Sequence, residues 1–496
     1  MSAAERHRGL VAAVVFAAVV ALRLPFATTH LWAWDSVLYA RALERGFRVA
    51  VDPVMSRPHP PGYVWYVAVA DAARQVLGDS NAALVLVSIV AGAACAALLW
   101  LVALRHVRPA VALLAALAFA ASPVVWTYGE VAYPYTVLAL LSLGLGSAFL
   151  RGGAPLLASL AFGVLSGARQ DVLLLLAPLW LWSLRPHSAR RVVPAAALVA
   201  VGLLTWYLPS ALLSGGAVAY ASAVLRQSAK VGSTYSVPAN GLAALAYNAG
   251  LTTEALGWGL GILAVPLVVA IARAGVRRLR APAAGFDALS VGLLVWTAPA
   301  LAFYALVHIG EWGYVLSVLP ALFLASAVAI DRAIGGLTPR RWAALAAASV
   351  VAPALLFCVG DGAYQAVVGD AEFSSAGLAR HDAALAARAA YVRRGYPPGS
   401  TLIVARDDYL LVRYYLPEYH AMYWDPDPYR REAKRARMLR ATNVLVFTAG
   451  LRPAHKGDVR RIRVAPGVDV AYFSIDRSSV LELDGDQYAV REMPAR

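Results

Sequence analysis

The residues of this chain that are best suited to chemistry lie in its first long polar interval, 28–80. Asp35 follows the first hydrophobic segment by only a few residues, so we expect its carboxylate to lie at a membrane surface. The interval continues with a run from Arg57 to Tyr63 that contains His59, three prolines and one glycine. The prolines prevent a continuous helix and predict an extended corner that fixes where Arg57 and His59 point. We interpret this interval as the catalytic face of a membrane enzyme.

Three shorter polar turns carry the other candidate residues. Glu130 ends a hydrophobic segment among several tyrosines, Arg169 lies in a tight hairpin with Asp171, and His308 shares a third turn with Glu311. Each has a structural alternative. Glu130 could be an interfacial acid within a belt of aromatic residues, and Arg169 could simply pair with Asp171 across its turn.

Structural roles also compete with function in the first polar interval. Asp35 could cap a helix that begins at Ser36. The polar side chains of the proline-rich corner could serve only to satisfy backbone groups, and Tyr63 could be a packing anchor. An isolated histidine such as His308 could likewise be structural.

The elements that must hold these residues are membrane helices. The chain is 60% hydrophobic and only 15% charged, whereas soluble domains carry about 25% charged residues. About 20 apolar residues cross a bilayer core, and on this basis the chain has about eleven candidate spans. They are approximately 9–27, 82–104, 109–128, 132–150, 153–168, 171–184, 192–213, 255–272, 288–307, 312–330 and 342–360. We interpret the first as an uncleaved helix rather than a signal peptide.

Charge predicts the orientation. Most of the net charge of +15 comes from arginines that fall in alternate short connections between spans, which is the positive-inside pattern. It predicts a cytoplasmic N-terminus, with the loops 28–81 and 214–254 and the tail outside. Arginine is used far more than lysine, and the chain is rich in alanine. This composition indicates a bacterial protein, so we expect it in the plasma membrane.

The sequence predicts two domains, a transmembrane domain over 1–360 and an exterior α/β domain over 361–496. In the loop 28–81, Ser36–Arg48 and Tyr63–Leu77 are predicted as amphipathic helices in the membrane plane. The loop 214–254 is predicted to be partly ordered. In the tail, helices are predicted over 376–394 and 409–415, and strands over 401–405, 443–448, 468–474 and 480–483.

The order of these elements, with an acid soon after the first helix and a Pro-Pro-Gly-Tyr corner, resembles the GT-C superfamily of membrane glycosyltransferases. The most similar group includes the lipid A aminoarabinose transferase, protein O-mannosyltransferases and lipopolysaccharide galacturonosyltransferases. The motifs that carry the resemblance are Trp34-Asp35-Ser36, His59-Pro60-Pro61-Gly62-Tyr63, Leu77-Gly78-Asp79-Ser80-Asn81, Tyr128-Gly129-Glu130 and Tyr133-Pro134-Tyr135. The resemblance covers roughly residues 10–335, and the tail only loosely.

The resemblance implies an inverting transferase that moves a sugar from a polyprenyl-phosphate donor to an envelope lipid, glycan or protein outside the membrane. Asp35 matches the loop acid that acts as base or metal ligand, although Ser36 stands where several relatives carry glutamate. No cofactor is required by the resemblance, and a divalent metal cation would bind at Asp35. The donor-phosphate or substrate-binding candidates are Arg57, His59, Tyr63, Glu130, Arg169, His308 and Glu311.

Two other classes of protein remain open. A polytopic transporter or lipid flippase would usually carry charges inside its spans, but here nearly every charge falls at the end of a span, which favours the enzyme. A scaffold whose exterior domain binds a partner would leave the loop around Asp35 unexplained. Nucleic acid is not expected as a partner.

Overall fold

The structure of the protein is a computed structural model. It describes residues 3–51, 58–280, 287–308, 312–333, 338–359, 373–406, 408–423, 434–437, 442–447, 452–453, 460–474, 479–484 and 487–492. The chain divides into two compact units. The first contains the described residues of Met1–Thr28, Tyr39–Asp52 and Arg57–Leu378, and the second contains those of Thr29–Leu38 and the chain from Ala379 onward.

The first unit is helical. Its helices are α1 (Ala3–Arg23), α2 (Trp34–Arg45, which begins in the second unit), α3 (Val64–Leu77), α4 (Ser80–Ala103), α5 (Pro109–Ala121), α6 (Pro123–Glu130), α7 (Tyr135–Arg151), α8 (Pro155–Leu165), α9 (Asp171–Leu184), α10 (Ala189–Leu213), α11 (Ala217–Tyr235), α12 (Val237–Leu260), α13 (Ala264–Arg280), α14 (Ala288–Leu306), α15 (Leu319–Ala333), α16 (Pro339–Ala346) and α17 (Ala352–Val359). The predicted helices in the first polar interval correspond to α2 and α3.

Several helices are suited to a membrane, which confirms the prediction of a polytopic helical membrane protein. Within the described residues, six segments are long and apolar enough to cross a bilayer, or seven if α5 and α6 form one span bent by 54°. The helices α7, α8 and α9 are apolar but shorter. The predicted number of about eleven spans stays a prediction.

The region 214–254 differs from the partly ordered loop that we predicted, because α11 and α12 cover most of it. Its polar residues fit a helix by bonding back to the preceding turn. The Ser233 and Thr234 hydroxyls donate to the carbonyl of Lys230 at 3.0 and 2.8 Å. The Asn248 amide then joins the two helices by donating to the carbonyl of Tyr235 at 2.8 Å. Ser, Thr and Asn therefore do not mark a loop here.

A buried arginine supports the break between α5 and α6. Pro123 follows the break and has no N–H, so carbonyls at the end of α5 lack their usual donors. The Arg23 side chain is 1% exposed, and its terminal nitrogens donate to the carbonyls of Ala120 and Val125, each at 3.1 Å. Gly129 faces this guanidinium, since a Cβ there would lie 1.9 Å from Nη1 of Arg23. The bend therefore depends on a small residue beside a buried cation.

Gly129→Ala is expected to destabilise the protein by about 3 kcal/mol or more, because displacing Arg23 removes two charge-assisted hydrogen bonds from a buried site. The measurement is the thermal unfolding temperature of the detergent-solubilised protein. Gly144→Ala is the matched control, because its Cβ would meet only Leu98 Cδ2 at 3.9 Å. Similar unfolding temperatures for the two variants would contradict this account of the bend.

The second unit is an α/β domain, as predicted for the tail. It contains α18 (Ser375–Gly395, whose first residues belong to the first unit), α19 (Tyr409–Tyr415), β1 (Thr401–Ala405), β2 (His420–Tyr423), β3 (Lys434–Arg437), β4 (Asn443–Val446), β5 (Arg452–Pro453), β6 (Arg460–Ala465), β7 (Val468–Ser474), β8 (Ser479–Asp484) and β9 (Gln487–Glu492). One sheet has the order β2-β1-β4-β7-β6 and another β3-β8-β9-β5. In the first sheet, β1 runs parallel to β2 and β4, and β7 runs antiparallel to β4 and β6. The predicted domain boundary near residue 360 stays a prediction.

The segment Thr29–Leu38 packs within this second unit through Asp382 of α18. The Asp382 carboxylate accepts hydrogen bonds from the Thr29 N–H and hydroxyl at 2.6 and 2.9 Å, and from the His30 N–H at 3.2 Å. The Tyr415 hydroxyl accepts from the N–H of Leu31 at 2.8 Å. These bonds hold the backbone that leads into α2.

Asp382 is expected to make the stability of the second unit depend on pH. Partial burial by itself raises the pKa of Asp382, but the neighbouring His381 and the donors of Thr29 outweigh it and lower that pKa below its ordinary value. A lowered carboxyl pKa contributes stability that is complete above the unfolded pKa of about 4 and is lost as the pH falls through the folded pKa.

The measurement is the unfolding temperature of the full chain between pH 7 and pH 3. Asp382→Asn should remove part of the loss in acid, whereas Asp469→Asn, which changes an exposed ion pair with Arg463, should retain it. Identical acid profiles for wild type and Asp382→Asn would contradict the expected role.

Candidate functional site

The strongest candidate site in the first unit is built around Arg169, in the hairpin between α8 and α9. Its side chain is 6% exposed. Its Nε–H lies 3.0 and 2.8 Å from the two carboxylate oxygens of Asp171. Asp171 is the first residue of α9, where the helix dipole favours a negative charge. The carboxylate therefore fixes the plane of the guanidinium from a rigid position.

Three tyrosine rings surround the guanidinium. Its central carbon lies 4.7 Å from the ring centre of Tyr314, 4.9 Å from that of Tyr135 and 5.6 Å from that of Tyr63. These distances are within the range of cation–π attraction. Burial by itself lowers the pKa of Arg169, but Asp171 and the three tyrosines raise it well above its ordinary value. The cation is thus permanent and has a fixed orientation.

Arg169 keeps most of its hydrogen-bonding capacity. A guanidinium has five N–H donors, and the only one that donates to a protein acceptor within the described ranges is Nε–H. The terminal nitrogens are the pair that grips a phosphate or carboxylate in bidentate fashion. The arrangement is therefore suited to binding an oxyanion between tyrosine rings.

The proline-rich corner is joined to this hairpin by hydrogen bonds. The Pro61 carbonyl accepts from the Gln170 amide at 3.1 Å and from the Tyr220 hydroxyl at 2.9 Å. Trp65 donates from its backbone N–H to the carbonyl of Gly167 at 3.2 Å and from its indole to that of Val164 at 2.7 Å. Two motifs that lie far apart in the sequence thus form one support for Arg169.

His59 and Tyr63 lie on this corner and contact each other. The His59 Nε2 and the Tyr63 hydroxyl are 3.2 Å apart. Tyr63 has a backbone φ of 49°, a left-handed conformation that is unusual for a side chain of this size. Gly62 precedes it with a φ of 96°, and a Cβ there would lie 2.5 Å from Val49 Cγ2. This backbone turns Tyr63 toward Arg169.

The other predicted site residues have different positions. The His308 ring centre lies 4.8 Å from that of Tyr314, so His308 is one ring away from Arg169. Arg57 and Glu311 fall outside the described residues. Asp35 is half-buried in the first turn of α2 and belongs to the second unit. The helix α2 begins at Trp34 rather than at Ser36, so Asp35 lies in its first turn.

Glu130 is the last residue of α6, and its side chain is buried; its place at an exterior turn stays a prediction. Its side chain is 0% exposed, and neither carboxylate oxygen has a hydrogen-bond donor among the residues that the structure describes. Its backbone carbonyl accepts from the Thr28 N–H and hydroxyl at 3.0 and 2.8 Å. The Asn81 amide donates to the Thr28 carbonyl at 2.7 Å. Glu130 therefore anchors the end of the first hydrophobic segment through its backbone.

The described part of the chain does not assemble a metal site. No group of three or more His, Cys, Asp or Glu side chains in it is arranged to hold a metal ion. A divalent cation at Asp35 stays a prediction, and the chemistry considered below rests on protein side chains.

Sequence reasoning missed the residues that complete the site around Arg169. Tyr135 and Gln170 adjoin predicted candidates in the chain, but Tyr314 had no signal other than its place after the His308 turn. For Asp171 both a site role and a simple ion pair with Arg169 were open, and in the structure its carboxylate orients the guanidinium. Alternating polar and aromatic residues at helix ends were the available signal, and interfacial belts produce the same pattern.

Comparison with known proteins identifies the fold. No protein-family model matches the sequence, and no curated protein matches it. Among solved structures, ArnT from Cupriavidus metallidurans bound to undecaprenyl phosphate aligns over 94% of this chain and 97% of its own, with a TM-score of 0.56 and 15% identity. The same protein in the apo state aligns over 96% and 99%, with a TM-score of 0.55 and 16% identity.

An oligosaccharyltransferase from Archaeoglobus fulgidus in its apo form aligns over 88% of this chain and 69% of its own, with a TM-score of 0.48 and 14% identity. The ArnT alignments include nearly the whole of both chains, the C-terminal unit among them. The protein therefore shares the fold of ArnT, which is the GT-C fold that the order of its sequence motifs predicted.

Proposed function

We propose that the protein is an inverting glycosyltransferase that moves a sugar from a polyprenyl-phosphate donor to a hydroxyl group of an envelope lipid, glycan or protein. The observation that carries the proposal is Arg169, a buried cation whose Nε–H is occupied by Asp171 and whose terminal nitrogens donate to no acceptor in the described ranges. We assign the donor phosphate to these nitrogens.

The charge change in the reaction favours an arginine at this position. The donor is a phosphodiester with one negative charge, and the departing lipid phosphate is a monoester that carries about one more. A fixed cation therefore binds the departing phosphate more strongly than the donor, which lowers the barrier instead of merely improving binding. Asp171 and the tyrosines fix the cation before the donor arrives, so no reorganisation is required.

Asp35 is proposed as the general base. The acceptor oxygen forms a bond to the anomeric carbon, the bond from that carbon to the phosphate oxygen breaks with its electron pair, and the acceptor proton passes to the Asp35 carboxylate. A carboxylate is basic enough because the hydroxyl becomes acidic only as the bond forms. Arg57, His59, Tyr63, Glu130, His308 and Glu311 stay proposed contributors to the binding of donor or acceptor.

The nature of the donor is supported by the solved structure with the same fold, in which ArnT is bound to undecaprenyl phosphate. We infer that this chain uses the same class of lipid carrier. The orientation predicted by the arginine pattern would put the reaction on the outer side of a bacterial plasma membrane.

A transporter or lipid flippase is a less favoured alternative. Arg23 is a charge buried among the helices of the first unit, as transport proteins often have. However, its terminal nitrogens donate to the carbonyls of Ala120 and Val125. These bonds serve the bend between α5 and α6, so this charge has a structural use.

The test of the proposed function is mass spectrometry of envelope glycans and lipids from cells with and without the protein. The expected result is the loss of one sugar residue from one class of molecule, which would identify donor and acceptor together. Unchanged envelope composition, with a lipid-linked compound accumulating on one side of the membrane, would instead indicate a flippase.

A further inference from the structure

A small cavity of the first unit lies at the far end of α7 from Arg169. Tyr135, at the start of α7, contacts Arg169, and Arg151, at the end of α7, lines the cavity. The two ends of this helix of 17 residues are about 24 Å apart at 1.5 Å per residue. The helix α9 also runs from the Arg169 site to the cavity, because Asp171 is its first residue and Trp182 lines the cavity. The cavity therefore lies at the ends of these helices that are farther from Arg169.

Basic side chains line this cavity. It has a volume of about 110 Å³, and its walls include Arg105, Arg151 and His106 but no aspartate or glutamate. Val102 and Leu150 contribute an apolar floor. The cavity thus combines basic side chains with an apolar lining at the end of several helices.

The two arginines lack the counter-charges that their neighbours have. Arg108 pairs with Asp331 at 2.8 Å and Arg332 pairs with Asp287 at 3.1 Å. In the described part of the chain, neither Arg105 nor Arg151 forms an ion pair. Partial burial and the nearby Arg151 lower the pKa of Arg105, and partial burial and Arg105 lower the pKa of His106. The cations therefore repel one another, and a bound anion would remove this repulsion.

Two further groups at the cavity are hydrogen-bond donors. The indole N–H of Trp182 is buried and has no acceptor among the described residues. The cavity also reaches Ala288 and Leu289, the first residues of α14, whose N–H groups have no acceptor within the helix and carry partial positive charge. Asp287 caps this helix, and its carboxylate accepts hydrogen bonds from the Ser290 N–H and from the Arg332 guanidinium. Cations, an indole N–H and a helix N-terminus together match a tetrahedral oxyanion.

We propose that this cavity binds a phosphate group, presented by the headgroup of an anionic lipid in the leaflet opposite the Arg169 site. Basic cavities between membrane helices are suited to such headgroups, and the apolar floor would meet the start of the acyl chains. The proposal does not rest on the glycosyltransferase function, because none of its residues belongs to the Arg169 site.

The experiment compares the full chain with Arg105→Gln/Arg151→Gln in detergent. Native mass spectrometry measures the fraction of protein that retains added phosphatidylglycerol or phosphatidylcholine. We expect wild type to retain phosphatidylglycerol preferentially, with affinity lowered about fivefold for each arginine removed. Arg190→Gln/Arg191→Gln is the matched control, because both arginines are exposed at the start of α10 and removing them takes the same charge from the same membrane face.

A second measurement separates the sources of phosphate. Inorganic phosphate could raise the unfolding temperature of wild type but not of the Arg105→Gln/Arg151→Gln variant, while wild type shows no preference for phosphatidylglycerol. This result would support a phosphate site that is filled from solution. Equal loss of lipid in the control and the cavity variant would overturn the proposal, because surface charge would then explain binding. Absence of any response to either probe would also overturn it, provided that both variants keep the wild-type unfolding temperature.

Discussion

Arg169→Gln is expected to lower kcat/KM for sugar transfer from a polyprenyl-phosphate donor about 10³-fold. Removing one preorganised donor from a site of developing charge costs about 10²–10³ in rate, and here a permanent cation is removed as well. Arg169→Lys should recover only part of the activity, because an ammonium keeps the charge but cannot offer two parallel N–H donors. The measurement is transfer in reconstituted vesicles supplied with lipid-linked sugar.

Substitution of Arg169 should weaken binding of the donor more than binding of the acceptor. Donor KM is expected to rise in Arg169→Ala and in Arg57→Ala while acceptor KM changes less, since both arginines are assigned to phosphate. Arg74→Gln is the matched control, because Arg74 also pairs with a nearby aspartate, Asp71 at 3.1 Å, but on a partly exposed surface. Equal losses for both substrates, or a similar loss in Arg74→Gln, would remove Arg169 from phosphate binding.

Asp35→Asn is expected to abolish transfer, with a loss of about 10³-fold or more, while expression and membrane insertion stay normal. A general base contributes about 10²–10⁴ in rate, and an amide cannot accept the acceptor proton. The cost in stability should be small, about 1 kcal/mol, because Asp35 lies in the first turn of α2, where an amide loses the favourable interaction of a carboxylate with the helix dipole. Asp35→Asn should therefore lower the transfer activity strongly and the unfolding temperature only slightly.

Asp79→Asn is the matched control for this substitution. Asp79 caps α4 by accepting from the N–H of Ala82 at 2.7 Å, and asparagine caps a helix as well as aspartate does. This variant should keep both stability and activity. If Asp35→Asn also kept full activity, Asp35 would have no part in the mechanism and its role would be confined to helix α2.

Several parts of the fold followed from local sequence. The prolines and glycine before Tyr63 predicted a corner, and the residues after it predicted a helix that ends near Leu77, where α3 does end. The strand over 401–405 and the helix over 409–415 were predicted with the bounds that the structure gives. Such elements are predictable because breakers, caps and hydrophobic periodicity act over a few neighbouring residues.

Other features depended on which helices pack together. The chain around Glu130 predicted an acid at an exterior turn but did not reveal that its carboxylate is buried at the end of α6, after a bend that Arg23 supports. Arg23 lies within the first predicted span, 9–27, and the sequence indicated no partner for it. A helix that is apolar on all sides carries no periodic signal of its buried face, so the direction of these two side chains could not be inferred from sequence.

The sequence by itself determined that this is a helical membrane protein with a C-terminal α/β unit and polar turns rich in candidate residues. Only the tertiary structure decided that Tyr63, Tyr135 and Tyr314 meet at Arg169 and leave its terminal nitrogens without a protein acceptor in the described ranges. The physical reason is that local conformation is set by short-range sterics and hydrogen bonds, whereas an oxyanion site is made by side chains that long-range packing brings together.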